Sequence, residues 1–203
     1  MRTTRDGYAE NLLLSEEIEE DDLWAGRFTL KYMPTESLNI TLHAGFSDRD
    51  GAILPGIKQV IDPNGPNAGA TIIDDPRKIL ANQRNNTSTE NEYIDTTVSW
   101  DLGHIELKSI TAYIDSSTGP RTRDIDATEL SIIHDGAADG SGPVVFDTQS
   151  FSQEFLLSSL DESSLDWLVG LYYLHDNTFV RSGIDLPVFS LPLIQVASNN
   201  ITD

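Results

Sequence analysis

The chain has 203 residues, with 13 lysines and arginines against 33 aspartates and glutamates, which gives a formal net charge of −20 at pH 7. This charge repels phosphate backbones and therefore argues against a nucleic-acid partner. The absence of cysteine excludes a disulfide framework, a thiolate zinc site and a cysteine nucleophile.

The N-terminal region divides into a mixed segment and a densely acidic one. The residues up to about Leu14 are predicted to form a strand that is cut at its start. Ser15–Asp22 follows and holds six acids in eight residues. Such a charge density cannot be buried unpaired, so we predict that Ser15–Asp22 is an exposed connection.

Apolar and polar residues alternate in the next two segments, 24–32 and 38–46. One face of these segments carries Trp24, Gly26, Phe28, Leu30 and Tyr32, followed by Leu38, Ile40, Leu42, Ala44 and Phe46. A period of two is typical of a β-strand whose two faces meet different surroundings. Both segments are therefore predicted to be strands.

Four further segments complete the set of predicted strands. They are Tyr93–Trp100, Ile105–Ile114, Phe146–Ser159 and 165–174. Together with the first three, they give about seven antiparallel strands. No stretch of about 18 apolar residues is present, so no transmembrane helix is predicted.

The predicted connections alternate between short and long. The short ones are Met33–Ser37, Asp101–Gly103 and Leu160–Ser164, and the long ones are Asp48–Glu92 and Asp115–Val145. An up-and-down barrel that spans a bilayer has short turns at one end and long loops at the other. A β-sandwich has no reason to alternate in this way, so the connections favour the barrel.

The two faces of the predicted strands differ in polarity. The polar face carries Arg27, Lys31, Asn39, His43, Asp95, Thr97 and Ser99. These side chains would be costly in a dry core but are normal in a hydrated lumen, with the apolar face against lipid. The pattern alone leaves an alternative of equal weight, a soluble sheet whose polar face lies in solvent.

No catalytic or metal-binding motif is recognisable. The four histidines, His43, His104, His134 and His175, are scattered, so each is predicted to be a surface or lumen residue. Nucleophile elbows and phosphate-binding loops are absent, and the adjacent carboxylates do not lie in apolar surroundings that would raise a pKa. We therefore predict no enzymatic activity, no catalytic residue, no cofactor and no metal site.

Calcium is the alternative partner for the acidic loops, because hard cations take carboxylate and carbonyl oxygens. Asp48–Gly51 and Asp135–Gly140 could contribute ligands, although neither follows the EF-hand loop. The second hypothesis is therefore a secreted, soluble β-sandwich that binds carbohydrate or calcium through acidic loops.

Several phrases of the sequence resemble the barrel of TonB-dependent outer-membrane receptors of the siderophore-receptor type. They are Arg5–Tyr8, Asp21–Phe28, Met33–Leu38, Leu107–Tyr113 (LKSITAY), Phe151–Leu157 (FSQEFLL) and Leu165–Tyr173. The phrases follow the family's order over about residues 1–179. One departure is Phe155-Leu156, where the family usually has Leu-Arg. Each phrase is weak alone, and their shared order carries the resemblance.

The resemblance implies an antiparallel, up-and-down transmembrane β-barrel segment in the outer membrane of a Gram-negative bacterium, with short periplasmic turns and long outer loops. Residues 1–203 would be an internal part of a barrel of about 22 strands, without its plug domain and C-terminal strands. The outer loops would be Asp48–Glu92, Asp115–Val145 and the chain from Asn177 onward.

The partners that the resemblance implies are a ferric siderophore or other small ligand, the TonB complex acting through the plug, and outer-membrane lipid. The function would be TonB-energised active transport without covalent chemistry. The family's loops carry no transferable binding motif, so the resemblance identifies no ligand-contacting residue.

Overall fold

The computed structural model describes residues 1–52, 62–135, 144–160, 165–187 and 194–202. The strands in these ranges are β1 Arg2–Arg5, β2 Ala9–Asn11, β3 Glu16–Ile18, β4 Asp21–Thr35, β5 Leu38–Ala52, β6 Lys78–Ile79, β7 Asn86–Asp101, β8 Ile105–Arg121, β9 Arg123–Asp124, β10 His134–Asp135, β11 Val144–Ser159, β12 Leu168–Asp185 and β13 Ile194–Thr202. In the described ranges, no helix is long and apolar enough to cross a membrane.

Seven long strands form an antiparallel up-and-down sheet in which each strand pairs with the next long strand in the chain. Their order is β4-β5-β7-β8-β11-β12, with β13 also paired to β12. The short strand β1 extends the sheet beyond β4, and β10 and β9 continue from β12. This arrangement confirms the predicted all-β, up-and-down fold, and the sheet is open in this chain.

The long strands continue beyond the segments in which apolar residues alternate. β4, β5, β7, β8, β11 and β12 have 15 to 18 residues, whereas a tilted membrane strand needs about 9–11. The predicted loops Asp48–Glu92 and Asp115–Val145 were therefore too long. Their ends belong to strands whose two faces are both polar, so hydrophobic alternation does not mark them.

The prediction for the C-terminal part of the chain was wrong in two respects. The strand predicted at 165–174 begins at Leu168 and continues to Asp185. Asn177 therefore lies within β12, opposite Ile201 of β13, and is not the start of an outer loop. Backbone pairing with the preceding strand β11 extends to Arg181, which explains why this polar stretch remains a strand.

The N-terminal region also differs from its prediction. The residues up to Leu14 contain two strands, because β1 pairs with β4 while β2 pairs with β3 and β6 in a separate three-stranded sheet. The segment Ser15–Asp22 is not simply an exposed connection. It includes β3, whose Ile18 is only 1% exposed and packs with Ala9, Ile79, Ala81 and Ala127.

At the other end of the long strands, the described connections are short. β4 and β5 are separated by Glu36 and Ser37 alone. In the turn between β7 and β8, Gly103 has a φ of +95°, which favours glycine, and its N–H donates to Asp101 Oδ1 at 2.7 Å. Residues 161–164 of the predicted turn Leu160–Ser164 lie outside the described residues.

Candidate functional site: the two faces of the sheet and the loop assembly

Cross-strand register places the predicted apolar residues together on one side of the sheet, which we call the apolar face. Successive cross-strand pairs form one row across the sheet. Phe28 lies opposite Ala44, Ala44 opposite Ile94, Ile94 opposite Tyr113, and Tyr113 opposite Phe151. Large side chains of this face are open to the surroundings. Those more than 45% exposed include Trp24, Phe28, Leu30, Tyr32, Phe46, Ile94, Trp100, Val169, Leu171 and Tyr173.

The polar face is the opposite side of the same strands, and register confirms that its predicted members lie together. Thr29 pairs with His43 and His43 with Asp95, so these positions form one row across three strands. The His43 Nδ1 atom lies 2.9 Å from Asp95 Oδ2, which joins β5 to β7 by a side-chain hydrogen bond. Arg27, Lys31, Asn39, Thr97 and Ser99 occupy the neighbouring rows.

Small residues of the apolar face lie beneath large ones on the adjacent strand. A Cβ atom added to Gly26 would lie 2.5 Å from the Phe46 ring, so the ring covers this glycine. A shallow apolar depression of about 500 Å³ lies beside this pair, and it is lined on the apolar face by Phe28, Ala44, Ile94 and Tyr113. The same arrangement occurs on the polar face, where Tyr93 covers Gly45.

Buried apolar side chains concentrate in the loop assembly, which we define as β2, β3, β6, residues 81–85 and residues 123–135. Its small core consists of Ala9, Ile18, Ile79, Ala81 and Ala127. On the long strands, Val144 is the only buried hydrophobic residue among those the structure describes. The long strands therefore have two uncovered faces, and the buried apolar residues pack in the loop assembly at one end of these strands.

Bidentate ion pairs join strands at the loop end of the sheet. Arg49 donates from Nε and Nη2 to the two carboxylate oxygens of Asp21 at 2.7 and 2.9 Å. Arg2 makes the same fork with Asp22 at 3.1 and 2.7 Å. The Arg49 hydrogen bond lowers the pKa of Asp21 below its ordinary value. These exposed pairs orient β1, β4 and β5 but add little stability.

A polar network is buried inside the loop assembly. Asp124 and His134 are both 0% exposed. The Asp124 carboxylate accepts from the backbone N–H groups of Asn82 at 2.8 Å and Ala127 at 3.0 Å. Asn85 Oδ1 accepts from the Asp124 N–H at 2.7 Å, so two hydrogen bonds tie β9 to residues 82–85.

Ionisation in this network is strongly perturbed. Burial raises the pKa of Asp124 to about 7, and the negative charge of Asp126 adds to the shift. Burial lowers the pKa of His134, against the opposing effect of Asp126 and Asp185. Asp124 and Asp126 are not adjacent in the sequence and were not predicted as a pair, although the spacing Asp-Ile-Asp at 124–126 is a signal for it.

The structure places the four histidines in four different surroundings. His43 lies on the polar face, His104 in the turn between β7 and β8, and His175 on the apolar side of β12 opposite Phe151. The prediction that His134 is a surface or lumen residue was wrong, because strand pairing with β9 and β12 buries it in the loop assembly.

The two segments considered for calcium do not form an open acidic loop in the described residues. Asp48–Gly51 lies within β5, where Arg49 is engaged with Asp21. In Asp135–Gly140, Asp135 belongs to β10 and pairs with Arg123 at 3.0 Å, and residues 136–140 lie outside the described residues.

Comparison with known proteins identifies one kind of fold. No protein-family model and no curated protein matches the chain. The chain is similar in structure to the ferric yersiniabactin uptake receptor FyuA from Yersinia pestis, with a TM-score of 0.62 and 13% sequence identity. The match covers 98% of this chain but only 29% of FyuA. The likeness shows the fold alone, that of a β-barrel wall, and the chain spans less than a third of that receptor.

Proposed function

We propose that this chain is part of the barrel wall of a TonB-dependent outer-membrane receptor that imports a ferric siderophore or a similar scarce ligand. The observation that carries the proposal is the structural likeness to FyuA over 98% of the chain. FyuA is named as a ferric yersiniabactin uptake receptor. We propose the same type of activity for the protein of which this chain is part, namely transport without a covalent step.

The chemistry of the two faces supports a membrane location. Trp24, Phe28 and Leu171 are 51%, 56% and 70% exposed, so water would meet a broad apolar surface if the protein were soluble. Lipid removes that cost on one side of the sheet. A hydrated lumen on the other side solvates Arg27 and Lys31, which would be unfavourable in a dry interior.

The proposal assigns distinct roles to the parts of this chain. The polar face lines the path of the ligand through the barrel, and the loop assembly lies at the cell exterior, where the ligand is first captured. In such a receptor TonB delivers energy through the plug domain, so coupling is not a role of these strands. The apolar depression beside Phe28 and Tyr113 lies on the face that the proposal assigns to lipid.

The soluble alternative requires a second layer over the apolar face. A β-sandwich buries one face of each sheet at about 10 Å from its partner. In the described ranges the apolar face is uncovered, and the three-stranded sheet is built around its own small core. Carbohydrate or calcium binding by a soluble sandwich is therefore not supported by these features.

Uptake in the source bacterium tests the proposal. We expect a strain that lacks the gene to lose uptake of at least one radioactive ferric siderophore under iron limitation, and the cloned gene to restore it. The restored uptake should disappear in a matched strain without TonB. Fractionation should recover the protein with the outer membrane.

The possible failures are distinguishable. Recovery of the protein in the soluble fraction would contradict the membrane assignment itself. Recovery in the outer membrane together with uptake that does not depend on TonB would contradict the transport mechanism while leaving the barrel intact.

A further inference from the structure

The loop assembly brings two carboxylates and an imidazole into one small cluster. Asp124 ends β9, Asp126 follows it, and His134 begins β10, which pairs with β9. One potential ligand atom from each of the three lies within 4.8 Å of the others. Asp124 and His134 are fully buried and Asp126 is half-buried, so the cluster is largely shielded from water.

The imidazole of His134 has one nitrogen engaged and one nitrogen free. Its Nε2 lies 2.8 Å from Asn82 Oδ1. Because an amide oxygen only accepts, Nε2 carries the proton and Nδ1 carries a lone pair. Nδ1 is buried and has no hydrogen-bond partner. A buried lone pair without a partner is unfavourable unless a ligand takes it.

Backbone donors hold the two carboxylates but leave them acceptor capacity. Each oxygen of Asp124 accepts one N–H group, from Ala127 at Oδ1 and Asn82 at Oδ2. Asp126 Oδ2 accepts from the Ile133 N–H at 3.0 Å. Since a carboxylate oxygen has two lone pairs, these oxygens can accept more than the N–H groups named, and the side chains of Asp124 and Asp126 also hydrogen-bond to each other. No lysine or arginine of the described residues pairs with either carboxylate.

We propose that Asp124, Asp126 and His134 bind one divalent transition-metal ion of the zinc class. A divalent cation would neutralise the two adjacent carboxylates and take the free lone pair of His134 Nδ1. Zinc bonds of about 2.0–2.2 Å place neighbouring ligand atoms about 3.4 Å apart, so ligand atoms that lie within 4.8 Å of one another would have to move closer when the ion binds. Hydrogen bonding of Nε2 to Asn82 is the outer contact that a metal-bound histidine usually has.

The ligand set selects among cations. Calcium and magnesium prefer sites built only from oxygen, whereas an imidazole nitrogen suits zinc and its neighbours in the first transition row. Bound there, the ion would tie β9 and β10 together at the loop end of the sheet. This role is independent of transport, so failure of the proposed function would not remove the metal site.

Metal titration of the protein, purified in detergent and stripped with chelator, tests the proposal. We expect about one equivalent of Zn²⁺ to bind and to raise the melting temperature, with Ca²⁺ binding at least about tenfold more weakly. Asp126→Asn and His134→Gln should each weaken Zn²⁺ binding about tenfold or more. His43→Gln is the matched control, because His43 lies outside the cluster on β5, and it should bind Zn²⁺ as the unaltered protein does.

Cobalt provides a second readout. Bound Co²⁺ should give visible d–d absorption that Asp126→Asn and His134→Gln remove and His43→Gln retains. If His134→Gln fails to fold, the half-buried Asp126→Asn decides the outcome. Identical Zn²⁺ isotherms for the unaltered protein and Asp126→Asn would overturn the site, and Ca²⁺ binding as tight as Zn²⁺ would overturn the choice of metal.

Discussion

Gln153 places a side-chain amide on the apolar face of the sheet, beside the hydroxyl groups of Ser109 and Thr111. Its Oε1 accepts from the Thr111 hydroxyl at 2.6 Å, and its Nε2 donates to Ser109 Oγ at 3.0 Å and to the Glu154 carbonyl at 3.1 Å. Unsatisfied polar groups against hydrocarbon are costly. The neighbouring hydroxyls therefore make Gln153 compatible with lipid.

Removal of these hydroxyls should destabilise the protein. The double variant Ser109→Ala/Thr111→Val leaves the Gln153 amide without its side-chain partners, so we expect the free energy of unfolding to fall by about 1–3 kcal/mol. Denaturant unfolding of protein folded into phospholipid vesicles measures this change. Adding Gln153→Leu should recover most of the loss, and a triple variant no more stable than the double would contradict the explanation.

The ion pair between Asp21 and Arg49 should give a pH-dependent contribution at the loop end of the sheet. Because the Arg49 hydrogen bond lowers the pKa of Asp21 in the folded protein, the contribution is present above the ordinary pKa of an aspartate. It is lost as the pH falls from about 4 through the lower folded value. In the Arg49→Gln variant, the pKa of Asp21 should rise toward its ordinary value, and NMR titration of the carboxylate measures this change. An unchanged pKa in that variant would contradict the assignment.

At the scale of the strand, the sequence was sufficient where the two faces have different surroundings. Residues 24–32 and 38–46 alternate between apolar and polar, and both lie within observed strands, β4 and β5. The same pattern correctly assigned His43 and Asp95 to the polar face, and the register shows that they lie opposite each other. Alternation over nine residues carries this information because successive side chains point to opposite sides.

The pattern failed where both faces are polar or where burial depends on distant residues. Thr87–Glu90 and Ser116–Thr118 belong to β7 and β8 but contain no apolar residue, so nothing distinguishes them locally from a loop. The burial of His134 depends on pairing with Asp124 and Asp185, which are 10 and 51 positions away in the chain. No local pattern reports such contacts.

The two faces of β5 provide a matched pair of substitutions. Leu42 lies on the apolar face and its neighbour Thr41 on the polar face. Leu42→Arg should cost about 2–4 kcal/mol at the bilayer midplane and reduce assembly into the outer membrane, whereas Thr41→Arg should be tolerated. Quantification of the folded, heat-modifiable form in outer-membrane fractions measures the difference. Equal assembly of the two variants would argue against lipid contact on the apolar face.

At the scale of the whole molecule, the chain inverts the usual distribution of burial. A soluble sheet protein has its core on the sheet, whereas here the described apolar cluster lies in the loop assembly and the sheet is open on both sides. Lipid on one side and water on the other is the environment that stabilises such a sheet. The sheet has open edges at β1 and β13.

The central claim is that the apolar face contacts lipid while the polar face contacts water, and site-directed spin labelling tests it most directly. The chain has no cysteine, so single cysteines at Asn39, Ile40, Thr41 and Leu42 each give a unique nitroxide site. In protein folded into vesicles, we predict that oxygen relaxes the labels at 40 and 42 while a water-soluble nickel chelate relaxes those at 39 and 41. Equal access of the nickel chelate to all four positions would contradict the claim.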